Sequence, residues 1–177
     1  MARAVYVKKA MKDYSEYGIK KGEGYWWWKF NFGKKHYSKT QPTKYDLTQS
    51  EFQKQIYTIQ DMIDTLSGIV PDAIESEVQN ILSEIENLKS ECEDKLSNMP
   101  EHLQESSSSG QLLQERIDNL DSWYSDIENV DLSSIENIEA DETELSEGQT
   151  KEEKLEELKT EALESIIDEI QCCDGNF

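Results

Sequence analysis

The chain reads as an α+β protein: a small N-terminal antiparallel β-sheet followed by an antiparallel three- or four-helix bundle with coiled-coil character. Three observations carry this expectation. Aromatic residues crowd the first quarter, where residues 1–46 hold 11 of the 16 Phe, Trp and Tyr side chains. Charge divides at the same place: residues 1–46 hold 11 Lys/Arg against 4 Asp/Glu, a net of +7, and residues 47–177 hold 7 against 34, a net of −27, within a total of −20. From Phe52 onward, apolar residues recur at spacings of three and four, the pattern of helices that bury one stripe. These shifts predict a basic aromatic head over 1–46, an acidic helical bundle over 47–130, an acidic linker over 131–149 and a C-terminal helix over 150–177.

In the head, Val5 and Val7 alternate with Ala4 and Tyr6 within residues 2–10, as in a short strand. Residues 11–24 carry Gly18, Gly22 and Gly24 among charges and read as a loop containing a turn. The next stretch, Tyr25–Phe32 (YWWWKFNF), has strong strand preference, and Gly33-Lys34 suits a two-residue turn with glycine first. A hairpin with that turn pairs Phe32 with Lys35, Asn31 with His36, Phe30 with Tyr37, Lys29 with Ser38 and Trp28 with Lys39. One face then gathers Trp26, Trp28, Phe30, Phe32, Tyr37 and the stems of Lys35 and Lys39, the expected buried side. The other gathers Tyr25, Trp27, Lys29, Asn31, His36, Ser38 and Thr40. Two strands alone are marginal, so a third strand or a helix is expected behind them.

In the body, Thr48-Gln-Ser-Glu51 forms a capping box that opens a helix with Phe52, Ile56, Ile59, Ile63 and Leu66 on one face, ended by Gly68 and Pro71. A second helix carries Ile74, Val78, Ile81, Ile85, Leu88 and Cys92 and continues through Leu96 and Met99 to Pro100, a length beyond 25 residues. Residues 100–110, PEHLQESSSSG, read as a flexible connection, with Ser109 as a cap for the next helix. Leu113, Ile117, Leu120, Tyr124 and Ile127, with Trp123 alongside, define this third helix to about Asn129. Residues 131–149 read as a mobile acidic linker with one helical turn around Ile135 and Ile138. Thr150-Lys-Glu-Glu153 is a second capping box, opening a helix with Leu155, Leu158, Ala162, Ile166 and Ile170 inward.

The functional classes narrow by chemistry. His36 and His102 are the only histidines, and neither sits in a Ser/His/Asp or Cys/His arrangement, so the chain is expected not to be an enzyme. Cys172-Cys173 with a distant histidine lacks the ligand spacing of a zinc site, and the glycines form neither a GxGxxG nor a Walker motif. No cofactor or metal is therefore expected. The three cysteines have no disulfide spacing, the start lacks a signal-peptide core, and no run approaches the ~20 apolar residues needed to span a bilayer. A cytoplasmic protein without membrane contact is expected. The remaining candidate is nucleic-acid contact by the head, where Tyr25 and Trp27 supply rings and Lys29, Lys34, Lys35, His36 and Lys39 supply cations. The acids of the body read as a solvated helix surface or, alternatively, as a mimic of nucleic-acid phosphates that occupies the basic cleft of a nucleic-acid-binding protein. A third reading is a structural coiled-coil scaffold, a homodimer through the same heptads.

Two resemblances bear on these readings. KKGEGYWWWKFNFGKKHYSKT with LTQSEF, and later KLSNMPEHLQESSSSGQLLQERIDNLDSW, resemble a family of small proteins of tailed phages and prophage-bearing bacteria with no established activity, over about residues 3–130. That resemblance implies a phage-type accessory or anti-defence protein in the cytoplasm of a bacterial host. Residues 24–40 are also similar to the small β-sheet head with which tyrosine recombinases hold arm-type DNA sites, which implies backbone contacts from Lys29, Lys34, Lys35, His36 and Lys39. No recombinase catalytic set of Arg, His and Tyr accompanies it.

Overall fold

The computed structural model describes residues 1–136, 138, 150–173 and 175. Strands β1 (Val5–Val7), β2 (Tyr25–Lys29) and β3 (Lys35–Ser38) form one antiparallel sheet in that order. Helices α1 (Glu51–Thr65), α2 (Ile74–Ser97), α3 (Glu101–Ser106), α4 (Ser108–Glu128), α5 (Ser133–Glu136) and α6 (Lys151–Cys172) come after it. The architecture is α+β. It divides into two compact units, Met1–Thr58 and Ile59–Phe177, with α1 running across the division.

In the first unit β1 supplies the third strand: Val5, Tyr6 and Val7 pair with Trp27, Trp26 and Tyr25. On the other side of β2, Trp26, Trp27, Trp28 and Lys29 pair with Ser38, Tyr37, His36 and Lys35. Residues facing each other across an antiparallel ladder share a face, so Val5, Val7, Tyr25, Trp27, Lys29, Lys35 and Tyr37 lie together. The inner part of this face closes on the 8–24 segment, where Ala10, Ile19 and Tyr25 are buried and Val7, Tyr14, Trp27 and Tyr37 pack around them. Backbone bonds hold that segment in place, from Ala10 N to Glu23 O at 2.8 Å and from Gly22 N to Ala10 O at 2.9 Å. A 3₁₀ turn over Ser15–Tyr17 ends at Gly18, whose φ of 67° is open to glycine at little cost.

The hairpin register corrects the sequence expectation. Trp28 faces His36 rather than Lys39, a slip of three residues, and the turn is replaced by a loop over residues 30–34. Because side chains alternate along a strand, an odd slip exchanges the faces of β3 relative to β2. Tyr37 therefore joins Trp27 instead of Trp28, and Phe32, expected in the core, is 96% exposed. A turn with glycine first needs φ > 0 there, and Gly18 and Gly22 are the positive-φ glycines among the described residues, so Gly33 does not adopt it.

In the second unit α2 and α4 pack antiparallel. The Lys89 ammonium bridges Glu86 at 2.9 Å and Asp121 at 3.1 Å, and these bonds raise its pKa. The fields of Glu86 on Tyr124 and of Arg116 on Cys92 obey the same descending register. The seam is apolar: Ile74, Val78, Ile81, Ile85, Leu88 and Cys92 of α2 and Leu120, Trp123 and Ile127 of α4 are buried, in keeping with the spacing in the sequence. Burial also pushes the Cys92 thiol pKa up, as suits a core residue. Helix α6 docks, with Leu163, Ile166, Ile167 and Ile170 buried and the Trp123 indole N–H donating to Cys173 O at 2.7 Å.

Several helix boundaries differ from expectation for local reasons. Helix α1 begins at Glu51, not Thr48: the Ser50 hydroxyl accepts the Gln53 amide at 3.3 Å, Thr48 accepts the Ser50 amide, and Glu51 pairs with Lys54 instead of reaching back. Helix α2 has 24 residues and stops at Ser97. The stretch expected to be a flexible connection holds α3 and the start of α4, and Ser107 rather than Ser109 is the cap, accepting from Gly110 N at 3.0 Å. Serines are accommodated in helix here by bonding back to carbonyls one turn earlier, Ser106 to His102 and Ser107 to Leu103. The Thr150–Glu153 capping box is present as read from the sequence, and the turn expected near Ile135 is α5. The rest of the linker expectation, residues 137 and 139–149, lies outside the described residues.

Candidate functional site

The basic residues of the hairpin gather at the loop end of β2 and β3. Lys29, the last residue of β2, stands directly opposite Lys35, the first of β3, and both are exposed. Like charges placed opposite each other on a ladder repel. Among the described residues neither ammonium is answered by a carboxylate. Lys35 turns instead over the Trp27 ring, its Nζ 4.1 Å from the centroid, where the negative face of the indole attracts a cation. Lys34 is exposed in the loop.

His36 and Trp28 stack across the ladder at 5.4 Å, with Phe30 edge-on to His36 at 5.5 Å. His36 is exposed while Trp28 is buried, so the histidine forms the outer layer of that stack. The Trp28 indole N–H is buried with no hydrogen-bond acceptor among the described residues. On the other edge of the sheet Tyr6 lies 5.1 Å from Trp26.

Of the seven residues singled out in the sequence, Lys29, Lys34, Lys35 and His36 are brought together at the loop end. Lys39 is set apart, exposed and bridged to Glu23 at 3.0 Å. Glu23 also accepts the Lys20 amide, and these two contacts hold its carboxyl below the ordinary glutamate range. Tyr25 belongs to the core: its hydroxyl bonds with Tyr14, which together with burial pushes the phenol pKa up. Trp27 is half-buried beside it and serves as the platform for Lys35.

Two residues of the site escape the sequence pattern. Phe32 projects from the loop into solvent, and Arg3, just before β1, comes alongside the end of β2. They line a recess of about 440 Å³ with Lys29, Phe30, Asn31 and Gln49. The available signal was composition: an Asn-Phe-Gly-Lys stretch carries loop residues on both sides of the ring, and exposure results if the chain turns there.

Comparison with known proteins adds no family. No protein-family model matches the chain, and neither a curated protein nor a solved structure does. Chemically, the site offers ammonium and guanidinium groups, exposed rings and amides, a set suited to anions and flat rings. Among the described residues, no three His, Cys, Asp or Glu side chains converge as metal ligands, and no helix is long and apolar enough to cross a membrane.

Proposed function

We propose that the head engages nucleic acid, DNA or RNA, or a complex bound to it, through Lys29, Lys34, Lys35, His36 and Lys39, with Tyr25 and Trp27 supporting those groups from behind. The protein is then a non-enzymatic accessory factor of phage type, acting in a bacterial cytoplasm, and its acidic helices bind protein or restrain the head electrostatically. The observation that carries this reading is the unanswered Lys29–Lys35 pair. A chain with 38 acidic side chains sets two lysines opposite each other at a strand end with, among the described residues, no carboxylate paired to either. A phosphate there relieves the repulsion and replaces a weakly bound counterion.

Fluorescence anisotropy of the full-length protein with labelled DNA and RNA over a salt series tests this. About four phosphate contacts give a slope of roughly −3 to −4 in log affinity against log salt, and Lys35→Ala reduces it by about one. Retention of neither nucleic acid at low salt overturns the reading.

A second reading is favoured by the exposed acids along α2, among them Glu84, Glu91, Glu93 and Asp94, which a rigid helix holds at fixed spacing. Such an array suits the basic cleft of a host nucleic-acid-processing protein. Competition between the full-length protein and DNA for a basic host nuclease separates the two, because charge-reversing Lys29 leaves competition intact only under the second.

A further inference from the structure

We propose that the recess beside the 30–34 loop captures one unstacked base of a single-stranded nucleic acid, with the base lying on Phe32 and the flanking phosphates met by Arg3 and Lys29. This rests on the reading that the head binds nucleic acid, and it names the form bound.

The recess measures about 440 Å³, within the ~300–1,000 Å³ typical of small-ligand sites. That space is on the scale of a single nucleotide. Its lining has separate parts for each part of a nucleotide. Phe32, 96% exposed, offers a ring face that no element among the described residues covers, and Phe30 forms an adjoining apolar wall. Arg3 and Lys29 are exposed and, among the described residues, make no ion pair, so both are available to phosphate oxygens. Asn31 and Gln49 carry amides that both donate and accept at a base edge.

The ring decides between strand forms. Bases within a duplex are stacked on one another and present only edges, whereas a single strand can turn a base face onto an aromatic side chain. Phosphate contacts from Lys34 and Lys35 serve both forms alike. A preference for single strands therefore has to come from Phe32.

The test uses the full-length protein with a labelled oligothymidylate of about 12 nucleotides and a duplex of the same length. The wild type is expected to bind the single strand more tightly. Phe32→Ala is expected to lower the ratio of single-strand to duplex affinity by about tenfold, and Lys34→Ala to weaken both without changing the ratio. 2-Aminopurine placed in the oligonucleotide is expected to be quenched by the wild type and not by Phe32→Ala. Circular dichroism checks that the variants fold. An unchanged ratio in Phe32→Ala overturns base capture while leaving phosphate binding in place. Absence of binding to either probe removes the reading beneath it as well. Loss in Phe32→Ala of binding to anionic phospholipid vesicles, with the nucleic-acid ratio unchanged, assigns the ring to a lipid surface instead and also overturns the proposal.

Discussion

The ammonium of Lys35 lies 4.1 Å above the centre of the Trp27 ring, while the other side of the same strand face packs toward Tyr25, Ala10 and Ile19. Trp27 thus connects the exposed cations to the core. Its removal takes away packing as well as a cation platform. Full truncation of a buried tryptophan costs about 3–5 kcal/mol, and Trp27 is half-buried, so Trp27→Ala is expected to lose roughly 2 kcal/mol. Phe32→Ala, by contrast, stays within about 0.5 kcal/mol of the wild type because the ring already stands in water. Urea unfolding monitored by circular dichroism distinguishes them, and equal losses from both would contradict the packing of this face.

Lys29 and Lys35 predict opposite effects on stability and binding. Lys29→Glu converts a repelling cross-strand pair into an attracting one, a change of about 0.5 kcal/mol in favour of the folded state. The same change removes a phosphate contact and adds repulsion. Thermal melts should rise slightly while nucleic-acid affinity falls. Parallel loss of both would mean that Lys29 supports the fold in some other way.

Gly110 predicts a reversal of the usual helix rule. Replacing glycine by alanine inside a helix ordinarily gains about 1 kcal/mol. Here a Cβ would overlap the carbonyl oxygen of Gln104 and come 2.6 Å from that of Leu103, both backbone atoms of α3. The overlap outweighs the propensity gain, because backbone oxygens cannot move aside without opening the α3–α4 junction. Gly110→Ala should therefore destabilise by about 1–3 kcal/mol. A higher unfolding midpoint in this variant would refute the close approach.

The α6 cap carries a pH dependence of known sign. Thr150 accepts from the Glu153 amide at 3.2 Å and the Glu153 carboxylate accepts from the Thr150 amide at 2.9 Å. The bond from the Thr150 amide, then that from its side chain, holds the Glu153 pKa below the ordinary glutamate value. A group depressed in the folded state adds stability above its unfolded pKa and loses it as pH falls through the folded one. Glu153→Ala, which removes the carboxylate that accepts the Thr150 amide, should destabilise α6 at neutral pH. The cost should shrink in acid below the usual glutamate range. Helical circular dichroism at matched pH values checks this, and a cost independent of pH would remove Glu153 from the cap.

The helical stripes were legible because their cause is local. Ile56, Ile59, Ile63 and Leu66 share a face through the pitch of the helix alone, and the structure buries all four. The Thr150 cap was legible for the same reason, since its partners lie three residues apart. The α3 segment was missed because its serines favour loops by composition yet bond here to their own helix carbonyls. Leu163 and Ile167 were missed because a narrow heptad stripe understates the wider face that α6 buries.

By itself, the sequence determined the α+β layout, the charge division and the residues of most helical stripes, all of which depend on contacts within a few positions. Tertiary structure decided which tryptophans are covered, where the hairpin turns and that Phe32 stands free beside Arg3. Those outcomes depend on strand register, and register is set by what packs against the sheet. Here β1 and the covering Ala10–Ile19 segment select the Tyr25 and Trp27 face. That selection slips β3 by three residues and leaves the Lys29–Lys35 pair and the exposed ring at the loop end.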